Sequence, residues 1–306
     1  MKNTIIIVLI LLVLGFGGYV LTRPATPLMS DTDPTAQENK PVSEEVATTT
    51  DMTKEMVNGT ERTVIGKSIE KRNITAYHYG TGTDEVLLVG GIHGGYSWNT
   101  SLVAFEAMKY LKANPTAIPS NVTVTVIPVL NPDGLAKVTG KEGEFVVSDI
   151  TATQAVQASG RFNVNEVDLN RNFDCAWQAT GMWQNKPVSA GSAVFSEPES
   201  MAVKAYIEST KPKAVIVWYS AAGGVYSSSC DNGVLPATKN LTDVFAKASG
   251  YPAHESFDFY ETTGDMANWL AKVNIPAISV LLTNHTDTEW TKNKAGIEAV
   301  LKIFAK

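Results

Sequence analysis

The sequence predicts an α/β fold, with one sheet covered by helices on both faces. Four runs, "EVLLVGGI", "NVTVTVIPVL", "KAVIVWYS" and "PAISVLLT", are almost continuously apolar and rich in β-branched residues, as strands buried on both faces are. Segments with helical spacing of apolar positions alternate with them, which is the pattern of helices packed onto such a sheet. His93, Asn131, Tyr219 and Leu281 lie at or just beyond the ends of these runs, where sheets of this class carry their functional groups.

The elements follow in order. "ITAYHYG" has strand character, and "EVLLVGGI" reads as the first fully buried strand. Residues 101–112, "SLVAFEAMKYLK", repeat apolar positions at helical spacing. "NVTVTVIPVL" is a strand that ends at the turn "NPDG", and a weakly patterned excursion then carries "GRFNVNEVDLNRNFDCAW". A helix is expected near "SEPESMAVKAYIEST", with Ser196 as N-cap and Glu199 completing a capping box. Strand "KAVIVWYS", helices "NLTDVFAKAS" and "GDMANWLAKV", strand "PAISVLLT" and helix "KAGIEAVLKIF" complete the chain.

The ends and the composition bound the function. Net charge is −6 over 306 residues and no basic block stands out, so the composition argues against a nucleic-acid partner. Neither a P-loop nor a dinucleotide-binding glycine pattern is present. Lys2 precedes the uncharged run Ile5–Leu21, and Arg23 follows it. Its 17 residues meet the lower limit for crossing a bilayer, and "GFGGYVLTRP" offers no convincing cleavage site, so residues 1–23 read as a membrane anchor, with a signal sequence as the alternative. Residues 24–62 are rich in Pro, Thr, Ser and acids and read as a disordered linker to a domain over 63–306. Localisation is accordingly expected to be membrane-anchored and extracytoplasmic, or else secreted. In an exported chain the cysteine pair, Cys175 and Cys230, suggests a disulfide, although two unrelated buried thiols have the same signature.

"GGIHGGYSWNT" places His93 on a strand-to-helix turn, with Ser97 one helical turn further on. Together with "VLNPDG", "GRFNVNEVDLNRNFDCAW", "VWYSAAGGVY", "YETTGDMANWL" and "PAISVLLTNHTD", in this order, it resembles the M14 zinc carboxypeptidases over roughly residues 65–305. The resemblance implies an α/β/α sandwich around a mixed, largely parallel sheet. It also implies a zinc with three protein ligands and a bound water, a Glu that takes the water's proton, and arginines that hold substrate oxygens.

Carried over residue by residue, Arg161 matches the oxyanion-stabilising Arg, Asn170 and Arg171 the clamp on the substrate's C-terminal carboxylate, and Tyr260 the closing Tyr. His93 matches the first zinc ligand. Three positions depart from the pattern: Ser97 stands for the ligand Glu, Tyr219 for the second ligand His, and Leu281 for the proton-transferring Glu. A neutral Ser is a poor zinc ligand, a Tyr phenol must first lose a proton near pH ~10, and Leu accepts none. Loss of a positioned base costs ~10²–10⁴ in rate.

The expectation is therefore a membrane-tethered, catalytically impaired domain that binds peptide or cell-wall peptide C-termini, with zinc weak or absent. The alternatives are an active zinc carboxypeptidase with an atypical metal shell and a structural or partner-binding ectodomain. Other features receive plain readings. His285 and Asp287 are structural support, His78 and His254 surface or packing residues, and Trp177, Trp183 and Trp218 core and walls. Ser97 lacks the surroundings of a nucleophile elbow. Arg161 and Arg171 could also simply pair with Asp168 or Glu166.

Overall fold

A computed structural model of the chain describes residues 52–231 and 233–306. The strands are β1 (Lys54–Val57), β2 (Thr60–Lys67), β3 (Asn73–Gly80), β4 (Asp84–Val89), β5 (Val122–Ile127), β6 (Thr180–Trp183), β7 (Lys186–Ser189), β8 (Ala214–Ser220), β9 (Gly224–Ser227), β10 (Ser229–Cys230), β11 (Gly233–Val234), β12 (Ala253–His254) and β13 (Ala277–Leu282). The helices are α1 (Trp98–Ala113), α2 (Pro132–Thr139), α3 (Gln154–Ser159), α4 (Pro198–Thr210), α5 (Pro236–Ser249), α6 (Met266–Lys272) and α7 (Trp290–Ile303).

Nine strands form one sheet in the order β1-β2-β3-β5-β4-β8-β13-β9-β12. Its centre, β5-β4-β8-β13, is parallel, and antiparallel pairs flank it on both sides. The strands alternate between two hydrophobic layers, because successive side chains point to opposite faces. Leu87, Val89, Val215, Val217, Tyr219 and Leu281 face one layer, closed by α4 and α6. Val86, Leu88, Ile216, Trp218, Val280 and Leu282 face the other, closed by α1, α5 and α7. This is the expected α/β/α sandwich around a mixed, largely parallel sheet.

Several local expectations are corrected. β1 and the first residues of β2 lie inside the stretch assigned to the linker, and they pair Lys54 with Thr63 through Val57 with Thr60. The folded domain therefore begins by Lys54 rather than at residue 63. "NPDG" is a helix start: Asn131 Oδ1 accepts from Gly134 N–H at 2.9 Å and Pro132 is the first residue of α2. The capping box at α4 does not form. Glu197 is the N-cap and makes no side-chain cap bond. Ser196 Oγ instead donates to Glu197 Oε1 at 2.8 Å, while Glu199 accepts from Asn163 Nδ2 and the Ile69 N–H, both at 3.3 Å. Glu199 is thus taken by tertiary partners, and Ser196 by its neighbour.

Cys175 and Cys230 form a disulfide with Cα atoms 6.1 Å apart, tying the excursion before β6 to β10. Among the described residues no helix is long and apolar enough to cross a membrane. The anchor assigned to residues 1–23, and most of the linker, lie outside the described residues.

Candidate functional site

A cleft of about 810 Å³ opens at the C-terminal ends of β4, β8 and β13. His93 follows β4 on the turn into α1, and Tyr219 and Leu281 are register partners near the ends of β8 and β13. β8 runs into a cis peptide bond at Ser220–Ala221. The excursion between α3 and α4 supplies Arg161, Asn170 and Arg171, and the loop before α6 supplies Tyr260 and Asp265. All of these residues line the cleft. Ser97 lies just behind His93 as N-cap of α1, with its N–H 3.4 Å from the His93 carbonyl.

Close backbone approach holds the turns together. Gly95 N–H donates to the Gly160 carbonyl at 3.1 Å, which joins the His93 turn to the residue before Arg161. Gly94 has φ +42°, and a Cβ there would stand 2.6 Å from the same oxygen, so this contact needs glycine. Gly264, at φ +63°, likewise packs onto the Arg171 carbonyl, where a side chain would collide. Its N–H donates to Cys175 O at 2.8 Å and its carbonyl accepts from Phe173 N–H at 3.0 Å.

The charged centre is buried and paired. Arg161 Nε donates to Asp168 Oδ2 at 2.8 Å, and its guanidinium lies 4.7 Å from the Trp183 ring centroid. Burial favours the neutral acid of Asp168, but Arg161 and then Arg171 outweigh it and hold its pKa at about 2. Arg171 donates from Nε (3.0 Å) and Nη2 (2.7 Å) to Met182 O and from Nη1 (2.6 Å) to Asn170 O. An arginine has five N–H donors, so about one remains on each terminal nitrogen for a ligand. Met266 N–H donates to Asn170 Oδ1 at 3.1 Å, which fixes the amide with its oxygen on that side. Asn170 Nδ2 donates to Asp265 Oδ2 at 2.7 Å. Burial raises the pKa of Asp265. Tyr260 stands at the lip, its ring centroid 5.9 Å from the Arg171 guanidinium and 4.9 Å from that of Phe257.

The donor set around His93 does not suit zinc. His93 itself would serve: it is buried, neither ring nitrogen has a hydrogen-bond partner, and burial followed by Arg161 pushes its pKa well below the usual value, keeping it neutral. Its Nε2 is 3.7 Å from Asp168 Oδ1, beyond hydrogen-bond reach. Ser97 Oγ is also buried without a partner, but a neutral hydroxyl binds zinc poorly. The Tyr219 hydroxyl donates to Asn170 Oδ1 at 3.2 Å, so its proton is committed. Burial, then the Asp265 charge, raises the Tyr219 pKa well above 10. Leu281 presents only hydrocarbon. Among the described residues no group of three or more His, Cys, Asp and Glu is placed to hold a metal ion.

The structure thus brings His93, Tyr219, Leu281, Arg161, Asn170, Arg171 and Tyr260 to one cleft, with Ser97 behind them. It gives Arg161 the Asp168 partner that the sequence offered as an alternative, whereas Arg171 bonds backbone carbonyls instead. Trp218 is core, with Nε1 donating to Asn293 Oδ1 at 2.9 Å, and Trp183 is a cleft wall. Sequence reasoning missed Tyr96, Ser220 and Asp265 as cleft residues. It also missed that His285 faces the cleft rather than only supporting a turn. Their proximity to quoted segments was the one available signal.

Fold and cleft together define a peptidase-like α/β/α domain with a buried two-arginine site beyond its strand ends. The chain belongs to the Peptidase M14, zinc carboxypeptidase family, whose model matches residues 46–297. Murein peptide amidase A of Escherichia coli (strain K12) is 26% identical over 203 residues, covering 63% of this chain and 69% of that protein. Among solved structures, the murein-tripeptide amidase of Escherichia coli O157 superposes with a TM-score of 0.55 at 20% identity, covering 80% of this chain and 93% of that one. Bovine thrombin-activatable fibrinolysis inhibitor, in complex with tick carboxypeptidase inhibitor, gives 0.60 at 16% identity, covering 80% and 88%. These two likenesses support the fold. The family normally binds zinc.

Proposed function

We propose that this chain is an exported, membrane-tethered member of the family that binds the C-terminal end of peptides and hydrolyses them poorly or not at all. Murein-type peptides are the substrate class suggested by the amidase relative. The observation that carries the reading is an asymmetry within one cleft. Arg161, Asn170 and Arg171 are buried, oriented by their own partners and left with free donors. The other groups beside His93 are a hydroxyl, a phenol and an alkyl chain, and the nearby Asp168 carboxylate is already paired with Arg161. In this reading Ser97, Tyr219 and Leu281 occupy the family's ligand and general-base positions. Arg171 and Asn170 hold a terminal carboxylate through charge-assisted bonds. Arg161 polarises the neighbouring carbonyl oxygen, and Tyr260 covers the bound end. The apolar run Ile5–Leu21 and the Cys175–Cys230 bond both suit an extracytoplasmic domain.

The test combines zinc analysis of the purified protein, hydrolysis of a peptide with a free C-terminus, and calorimetry of its binding. No stoichiometric zinc, negligible turnover and binding lost in Arg171→Ala are expected. Stoichiometric zinc with chelator-sensitive release of the terminal residue would establish the second reading, an active enzyme with an atypical metal shell. The two unbonded ring nitrogens of His93 are what favour that alternative. Absence of both activity and binding would leave a structural ectodomain.

A further inference from the structure

Asn99, on α1, is fully buried, and its Nδ2 donates to the carbonyls of Asn284 at 2.8 Å and Asp287 at 3.0 Å. A carbonyl can only accept, so the amide nitrogen must face these two oxygens and Oδ1 must face away from them. Ser220 Oγ lies 3.0 Å from that Oδ1, which also can only accept, so the one serine proton is directed there. The same Oγ is 3.2 Å from His285 Nδ1. With its proton committed, Ser220 can only accept from the imidazole, so Nδ1 carries the hydrogen. A neutral imidazole has only one, and Nε2 is therefore a lone pair. Burial, then the positive field of Arg161, disfavours the imidazolium.

His285 lines the cleft, and its ring is held against Tyr96 with centroids 4.5 Å apart. Nε2 makes no hydrogen bond among the described residues. The free groups of the clamp, on Arg161, Asn170 and Arg171, are donors that suit ligand oxygens. A peptide also brings N–H groups, and these need an acceptor. The nearby Arg161 guanidinium opposes an ammonium, so the matching donor is neutral.

We propose that His285 is a ligand-reading residue, locked as the Nδ1–H tautomer by Asn99 and Ser220, whose Nε2 accepts a hydrogen bond from a backbone N–H of the bound peptide. The assignment rests on the peptide-binding reading above. It replaces the purely structural role expected for His285.

Two measurements on the full chain decide it. Long-range ¹⁵N–¹H correlation spectra, with the signals assigned by their loss in His285→Gln, are expected to show the Nδ1–H tautomer near neutral pH. An Nε2–H tautomer would overturn the proposal without reference to any ligand. Calorimetry then uses a tripeptide with a free C-terminal carboxylate and its analogues in which one amide N–H at a time is replaced by an ester oxygen. One replacement is expected to weaken binding to the wild type by about tenfold, the size of one lost hydrogen bond. His285→Phe should bind the parent tripeptide about tenfold more weakly and be indifferent to that replacement. Equal losses from ester replacement in both proteins overturn the assignment alone. Failure of the wild type to bind the tripeptide at all overturns it together with the peptide-binding reading.

Discussion

At the scale of single residues, the cleft is governed by which buried charges are paired. Asp168 is fully buried, and Arg161, bonded to it, is nearly so. Its folded-state pKa of about 2 lies below the usual carboxylate value, so the pair contributes stability above about pH 4 that is lost as pH falls toward 2. The loss over that interval is expected to be about 2 kcal/mol. Arg161→Met leaves the carboxylate buried and unpaired, which costs ~3–5 kcal/mol at neutral pH. It should also shrink the acid-side loss, because Arg161 is the largest of the groups that favour the ionised carboxylate. Denaturant midpoints at neutral and acid pH check both parts, and an unchanged acid slope in Arg161→Met contradicts the assignment. The same logic makes the metal question reversible. Ser97→Glu, Tyr219→His and Leu281→Glu together provide, with His93, two imidazoles and a carboxylate plus a base. The triple variant is expected to retain about one zinc per chain and to gain chelator-sensitive peptide hydrolysis, whereas the proposed function expects neither of the wild type. Metal analysis of both proteins, purified side by side, checks it.

At the scale of elements, the cleft depends on irregular segments fastened to a regular sheet. The parallel strands β4, β5, β8 and β13 were legible because burial on both faces demands continuous β-branched runs. β2, "TERTVIGK", was not: it is antiparallel, and Thr60, Glu61, Arg62 and Val64 are only half-buried, so its polar residues masked it. β9 and β12 are too short to carry a period. Arg161, Arg171 and Tyr260 could be located because they sit in recognisable motifs. The Asn99–Ser220–His285 chain could not, since Asn99 and Asn284 are separated by 185 positions and only the folded sheet joins them. The most irregular fastening is the Cys175–Cys230 bond, which closes a loop of 55 residues and holds the end of the Arg171 segment beside β10. A loop of that length corresponds to about 4 kcal/mol of unfolded-state entropy. Replacing both cysteines with alanine should lower the melting temperature by roughly 10 °C. It should weaken peptide binding less than Arg171→Ala does, because the guanidinium keeps its Met182 and Asn170 partners. Calorimetric melting and binding of the paired variant test this, and an unchanged melting temperature counts against the bond.

At the scale of the whole molecule, the sheet determines where the functional unit begins. β3 would be an open edge without β2, and β2 in turn is covered by β1 through four register pairs. An uncovered strand presents unpaired backbone groups that invite association with other chains. Glu61 and Arg62 sit opposite His78 and Tyr77 of β3, so the residues that seemed to close a linker are sheet partners. Two truncations separate the boundaries. Starting the chain at Met52 keeps every described strand, and it should unfold cooperatively at the midpoint of the full-length protein and bind the same peptides. Starting it at Thr63 removes β1 and the first residues of β2 and strips the β3 edge near His78, whose Nε2 is 2.8 Å from Thr63 Oγ1. That shorter chain is expected to melt at lower temperature and to self-associate, as sedimentation would show. Because the cleft lies at the opposite ends of β4, β8 and β13 from this edge strand's turn, any monomer that remains should still bind peptide. Equal stability and monomeric behaviour of the two truncations would place the start of the folded unit after β1, contrary to the pairing described.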